Sequence, residues 1–162
     1  MKLITKDTDY ALRALCYIAK NKNELVSVSE LVIKLKIPKP FLRKILQILN
    51  KEGILNSYKG QGGGFKLAHS PNKILLVDLI EIFQGKLKLN ECIFRGLKCP
   101  ETTTCVFKRK IDVVEKHVIK EIKTITLLSL LEKEAELYEK KEDYRDRRSE
   151  MYRLWPVYPN LS

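Results

Sequence analysis

Three cysteines in one short stretch are the residues of this chain best suited to chemistry. Cys92, Cys99 and Cys105 are spaced as C-x6-C-x5-C, whereas the remaining cysteine, Cys16, is far away in the sequence. Thiolates are soft ligands that bind iron–sulfur clusters, zinc and cuprous copper. Clustered cysteines in a reducing compartment are metal ligands or redox thiols more often than disulfides, so the trio predicts a metal or iron–sulfur site.

No signal peptide is recognisable at the start of the chain. Met1-Lys2-Leu3-Ile4 leads directly into charged residues without an apolar run. No apolar run elsewhere in the sequence approaches the roughly 20 residues that a membrane-spanning helix needs. We therefore expect a cytoplasmic protein whose thiols stay reduced.

The positive charge of the chain is concentrated in one region. The net charge is +11 at pH 7, and the sequence pI is about 9.5. Between Ile33 and Lys66 eight basic residues stand against a single acid, Glu52, which gives this stretch a local net charge of +7. So concentrated an excess attracts phosphate polyanions and indicates a nucleic-acid surface.

Two helices are predicted before the centre of the basic stretch. Apolar residues recur at helical spacing from about Thr8 to Lys20, and Cys16 is predicted to be buried in this helix. The pattern Ser27-Val28-Ser29-Glu30 is a capping box that begins a second, short helix through Leu35.

A third helix follows a turn that contains Pro38, and it is amphipathic. Pro40 lies near its start, where a missing N–H is tolerated, and Gly53 ends it. Its predicted apolar face contains Phe41, Leu42, Ile45, Ile48 and Leu49, and its polar face contains Lys39, Arg43, Lys44, Gln47, Asn50 and Lys51. Two helices joined by a tight turn, the second basic on its outer face, are typical of a helix-turn-helix.

A β-hairpin is predicted directly after the third helix. The strands are residues 54–58 and 65–67, and the glycine-rich turn between them spans residues 59–64. A nucleotide-binding loop is a poor alternative, because no Gly-Lys-Ser/Thr sequence is present and no helix follows the turn. The hairpin therefore indicates the wing of a winged helix-turn-helix.

A long helix is predicted after the last cysteine of the trio. A short apolar helix covers residues 77–84, and a helix of 26 residues, about 39 Å long, covers residues 106–131. Its apolar stripe is formed by Ile111, Val114, Val118, Ile122 and Ile125. A small monomer rarely buries so long a stripe, so we expect a dimer interface.

The predicted fold is mainly α with a small β-hairpin: a winged helix-turn-helix plus a long C-terminal dimerisation helix. The predicted domains are a DNA-binding domain (1–85), a cluster-binding loop (86–105), a dimerisation helix with a charged extension (106–148) and an aromatic tail (149–162). The residues predicted to contact DNA are Ser27, Lys39, Phe41, Arg43, Lys44, Lys59, Gln61, Gly62 and Gly63.

The chain resembles the small bacterial winged-helix regulators typified by IscR and NsrR. The resemblance covers about residues 1–130. It is carried by Asp9-Tyr10-Ala11-Leu12-Arg13-Ala14-Leu15, by Gly60-Gln61-Gly62-Gly63-Gly64-Phe65-Lys66-Leu67 and by the cysteine trio before the long helix. It implies a homodimer that binds palindromic promoter DNA and carries an iron–sulfur cluster.

The same resemblance implies which residues would hold the cluster. The family's cysteine ligands match Cys92, Cys99 and Cys105. In nitric-oxide-sensing relatives the fourth ligand resembles an acid of the first helix, supplied by the other subunit, which matches Asp9 here. In IscR it is a histidine three residues after the last cysteine, where this chain has Lys108, which cannot be a ligand while charged.

We expect a homodimeric transcriptional repressor whose DNA affinity is controlled by an iron–sulfur cluster, of the 4Fe–4S rather than the 2Fe–2S type. The signal would be nitric oxide, redox state or iron. A cluster-free or zinc-stabilised repressor that responds to a metabolite or a partner stays open. A redox or cluster-carrier protein and a ribosome- or RNA-associated winged helix are further alternatives. Two histidines, no Ser/His/Asp set and no Cys-x-x-Cys predict that the chain is not an enzyme.

Overall fold

The computed structural model describes residues 3–21, 24–88 and 105–137. Cys92, Cys99 and the aromatic tail therefore lie outside the described residues, as does most of the predicted cluster-binding loop. The chain divides into two compact units, Met1–Leu128 and Ser129–Ser162. The four predicted domains and the boundaries between them stay predictions.

Helices dominate the described residues, and one two-stranded antiparallel hairpin accompanies them, which confirms the predicted fold class. The elements are α1 (Lys6–Lys20), α2 (Val28–Leu35), α3 (Lys39–Lys51), β1 (Leu55–Tyr58), β2 (Gly64–Leu67), a 3-10 turn (Pro71–Lys73), α4 (Leu76–Gln84), α5 (Val106–Thr124) and a further helical stretch at 127–137, here called α6.

The first helices begin where the sequence supplies side-chain caps. The Ser27 side chain accepts a hydrogen bond from the backbone N–H of Glu30 at 3.1 Å, which is the N-cap half of the predicted capping box. The Glu30 carboxylate bonds elsewhere, because its Oε1 accepts from the Tyr17 hydroxyl at 2.9 Å. This bond links α1 to α2.

The core is formed mainly by the inner faces of α1 and α3. Leu42, Ile45, Leu46 and Leu49 follow the i, i+3, i+4, i+7 pattern and are each at most 2% exposed. The prediction that Phe41 belongs to this face is wrong, because it lies at the edge of the pattern and is 56% exposed.

Cys16 does not have the burial that the sequence predicted. The α1 residues that pack into the core are Thr8, Ala11, Ala14, Leu15, Ile18 and Ala19. Cys16 lies beside that face and is half-buried.

The hairpin is anchored to the segment before α2. Leu55 pairs with Leu67 and Tyr58 with Gly64, and Phe65 also exchanges two backbone hydrogen bonds with Val26, at 2.9 and 3.1 Å. A Cβ atom at Gly64 would lie 2.7 Å from the Val26 carbonyl oxygen. Glycine at this position therefore permits the close backbone approach.

The long helix is shorter than predicted. It ends at Thr124, and Ile125 is extended, so α5 has 19 residues and is about 28 Å long. The Ile125 carbonyl accepts from the Leu76 N–H at 2.9 Å, and the Leu127 N–H donates to the Ile74 carbonyl at 2.8 Å. Backbone pairing with the start of α4 replaces the helical hydrogen bonds at this break.

Candidate nucleic-acid interface and metal centre

The outer face of α3 is basic and open to solvent. Lys39, Arg43 and Lys44 are all exposed, in the first two turns of a helix whose opposite face is sealed in the core. A cationic helix face fixed in this way can approach nucleic acid without rearrangement. The assignment of these three side chains to DNA stays a prediction.

The wing presents a tight glycine turn with two exposed polar side chains, Lys59 and Gln61. Gly60 and Gly62 have φ angles of +105° and +77°, which side-chain-bearing residues rarely adopt. A Cβ atom at Gly63 would collide with the Tyr58 carbonyl oxygen. Gly62 and Gly63 are thus required by the shape of the turn, whether or not their backbone also contacts DNA.

Ser27 has a structural task beside its predicted contact with DNA. Its hydroxyl oxygen caps α2, as described above. A hydroxyl that accepts one hydrogen bond can still donate its own proton. Capping and DNA contact are therefore compatible at Ser27.

Cys105 lies at the N-cap of α5, as predicted. Its Sγ accepts a hydrogen bond from the backbone N–H of Lys108 at 3.4 Å, and the residue is half-buried. The assignment of Cys105 as a metal ligand stays a prediction.

Asp9 lies in the first turn of α1 and faces outwards. Its Oδ2 accepts from the Arg13 Nε at 2.9 Å, and the Asp9 side chain is 42% exposed. Such a surface ion pair stabilises the fold little. The carboxylate is therefore partly accessible from outside the chain.

Gln84, the last residue of α4, holds the start of α1. Its Oε1 accepts from the Thr5 N–H at 2.8 Å and from the Thr8 hydroxyl at 2.7 Å, and its Nε2 donates to the Leu3 carbonyl at 3.3 Å. Thr8 is fully buried. The contact spans about 80 residues of chain, and no pattern in the sequence predicted it.

This network joins the end of α4 to the turn of α1 that carries Asp9. Asp9 follows Thr8 directly, and its N–H donates to the Thr5 carbonyl at 3.0 Å. Gln84 ends α4, two residues before the predicted cluster-binding loop begins at Lys86.

The complete ligand set cannot be assembled from the described residues. Within 3–21, 24–88 and 105–137 no group of three or more His, Cys, Asp and Glu side chains could hold a metal ion. Two of the three cysteines fall outside these ranges, so the cluster ligands stay predictions. His69 and His117 are both exposed.

The hydrogen bond between α1 and α2 also changes the acidity of Tyr17. The bond to the Glu30 carboxylate, burial and the negative charge of Glu30 all raise the pKa of the Tyr17 phenol. The protonated phenol is the form that donates this bond.

Two small cavities border the wing and α4, and His69 lines both. One, of about 190 Å³, is mostly apolar. The other has a volume of about 280 Å³. Both fall below the roughly 300–1,000 Å³ of typical small-molecule sites.

The apolar side chains of α5 divide between two faces. Ile122 is buried against α4 together with Leu76, Val77 and Ile80. Val106, Phe107, Val113 and Val114 are between 51% and 70% exposed. The first half of α5 therefore carries an apolar surface that the rest of the described chain does not cover.

A model of one protein family matches the chain over residues 4–133, and the description of that family is Rrf2, an iron-dependent transcriptional regulator. The chain belongs to the Rrf2 family of transcriptional regulators. Rrf2 regulators bind DNA and are not enzymes, so the predicted family, the DNA-binding role and the absence of catalysis are confirmed. Among the described residues, no helix is both long and apolar enough to cross a membrane.

Two relatives that match the chain at more than 30% identity carry the same kind of description. A protein of Aquifex aeolicus, described as an HTH-type transcriptional regulator, is 38% identical over 132 residues, which are 80% of this chain and 92% of its own. The regulator NsrR of Bacillus licheniformis is 32% identical over 133 residues, 75% of this chain and 92% of its own.

Two solved structures share the fold. CymR, described as the global cysteine regulator of B. subtilis, has a TM-score of 0.68 at 21% identity and covers 82% of this chain and 98% of its own. IscR of T. potens has a TM-score of 0.64 at 24% identity and covers 82% of this chain and 88% of its own. Both similarities confirm the winged-helix fold of the Rrf2 chain.

Proposed function

We propose that this Rrf2 regulator is a homodimeric repressor that binds palindromic promoter DNA in the cytoplasm under the control of an iron–sulfur cluster. The main observation in support of DNA binding is the basic face of α3. Lys39, Arg43 and Lys44 are exposed on a helix whose other side is fixed in the core. Recognition helices put such N-terminal residues against base edges, while the wing residues Lys59 and Gln61 reach the flanking backbone or minor groove.

The proposal of a dimer is based on the apolar surface of α5 that the described residues leave exposed. A stripe that contains Phe107 and Val114 lies in water in the single chain. Covering it with the same stripe of a second copy would give a symmetric interface. Such symmetry presents two recognition helices to the two halves of a palindrome.

The cluster would be held by Cys92, Cys99 and Cys105, with Asp9 of the partner subunit as fourth ligand. Two observations fit this set: the thiol of Cys105 lies at the positive end of a helix, and the Asp9 carboxylate faces outwards. When bound, a 4Fe–4S cluster supplies a centre that reacts with nitric oxide or oxygen. A carboxylate is a weaker ligand for such iron than a thiolate, which suits a sensor.

The chain offers a mechanical route from this site to DNA. Gln84 ties the end of α4, just before the predicted cluster-binding loop, to the N-terminal turn of α1. α1 packs against α3, the proposed recognition helix, so a movement of α1 would also displace α3. Two half-sites about 34–36 Å apart make DNA affinity sensitive to the separation of the two recognition helices.

The experiment is anaerobic purification of the full-length protein, followed by its visible spectrum and iron and sulfide counts per chain. We expect the protein to absorb visible light and to contain bound iron and sulfide. A preparation that stays colourless after anaerobic reconstitution with iron and sulfide would contradict the cluster. The DNA-binding proposal would survive that result.

A zinc-stabilised or cluster-free repressor is the second candidate. Lys108 stands where IscR has its histidine ligand, and three thiolates with one oxygen also suit tetrahedral zinc. Zinc bound to a colourless protein would favour this candidate.

A further inference from the structure

Phe41 exposes an aromatic ring at one edge of the basic face of α3. The ring is 56% exposed, whereas the four core residues of the same helix are at most 2% exposed. Phe41 therefore contributes little to the core. Single exposed apolar side chains are common on protein surfaces, so the place of the ring on α3, rather than its exposure, is what gives it a candidate role.

The position of Phe41 on α3 is one that meets DNA bases. It is the third residue of the helix, in the first turn, directly after Pro40. Lys44 follows at i+3 and therefore neighbours the ring on the helix surface, while Arg43 lies on the other flank of the exposed face. These cations would bring the ring to the groove, where the N-terminal residues of a recognition helix reach base edges.

The chemistry of the ring narrows what it can recognise. A phenyl group neither donates nor accepts an ordinary hydrogen bond, so it cannot read the polar edge of a base. The apolar group that a base pair displays in the major groove is the 5-methyl of thymine, which apolar side chains contact. We propose that Phe41 selects a thymine in each half-site by contacting its 5-methyl group. The inference rests on the proposed DNA binding and adds a sequence preference to it.

The test removes only the methyl group. Duplexes bound by the full-length protein are selected from a randomised library, and each thymine of the selected half-site is replaced in turn by deoxyuridine, which pairs identically. We expect one position where this replacement weakens binding by about fourfold, the value for about 0.8 kcal/mol per buried methyl. The other positions should change little.

Variants then assign that loss to Phe41. Phe41→Ala should bind the thymine and deoxyuridine duplexes equally, and Phe41→Leu, which keeps an apolar group, should retain part of the discrimination. The matched control is Ile33→Ala, which removes an apolar side chain that is 73% exposed on α2. It should preserve the fourfold difference.

Two results would overturn the inference, and they are distinguishable. If every deoxyuridine duplex binds the wild type as tightly as its parent, or if Phe41→Ala keeps the fourfold difference, the assignment fails while DNA binding stands. If the wild type enriches no sequence at all, the proposed specific binding fails together with the inference.

Discussion

Asp9 is the residue on which the proposed ligand set depends most. Its carboxylate forms an ion pair with the Arg13 side chain at 2.9 Å on the surface of α1. Within one chain this weak ion pair is the role that the structure gives Asp9. The sequence identified Asp9 through resemblance alone, because no pattern around it predicts a ligand. Two variants separate its two roles.

Asp9→Ala should leave stability almost unchanged, within about 1 kcal/mol, because an exposed ion pair contributes little. It should also alter the visible spectrum of the anaerobic protein and hasten loss of iron, because one ligand is missing. Arg13→Ala is the control, since it breaks the same ion pair and keeps the carboxylate. Equal spectra in wild type and Asp9→Ala would remove Asp9 from the ligand set.

At the scale of elements, local patterns predicted most of the winged helix, and long-range contacts account for the errors. The capping residue Ser27 and the glycine turn at 59–64 depend on neighbours in sequence, and the structure has α2 and the hairpin where these patterns put them. The end of α5 depends on backbone pairing between Ile125 and Leu76, which are distant in sequence. The helical spacing of apolar residues continues across the end of α5, so this spacing could not show where the helix ends.

The link between α4 and α1 is an element-scale feature that mutation can measure. Gln84→Ala leaves the buried Thr8 hydroxyl and the Thr5 N–H without their acceptor. We expect a loss of about 1–3 kcal/mol in the free energy of unfolding, measured with urea. Gln84→Glu is the matched control, because it keeps the accepting oxygen and should lose less. Equal destabilisation by both variants would contradict this account of the link.

The bond between Tyr17 and Glu30 predicts a dependence of stability on pH. The pKa of Tyr17 is raised in the folded state, so the stabilisation is fully present below the ordinary pKa of about 10 and is lost as pH rises through the folded value. Tyr17→Phe should therefore be less stable than wild type at pH 7, and the difference should shrink at pH 11. Tyr10→Phe on the same helix is the control. If its difference in stability from the wild type shrinks by the same amount at pH 11, the effect does not come from the bond between Tyr17 and Glu30.

At the scale of the whole molecule, the proposed dimer would cover the exposed apolar side chains of α5. Val114 is 51% exposed on this surface. Val114→Glu should convert the dimer to monomer in analytical ultracentrifugation, because a charge would be buried without a partner. Lys116→Glu, about 200° around the helix from Val114, introduces the same side chain on another face and should leave the dimer intact. A dimer that survives Val114→Glu would place the interface elsewhere.

The proposed cluster, with Cys105 at the start of α5 among its ligands, is expected to control the affinity of α3 for DNA. The most direct measurement is the Kd of the full-length protein for one selected palindrome, before and after anaerobic removal of iron from the same preparation. Coupling between two sites typically changes affinity by about 5- to 150-fold, and we expect a change in this range. Equal Kd values for the two forms would contradict the account.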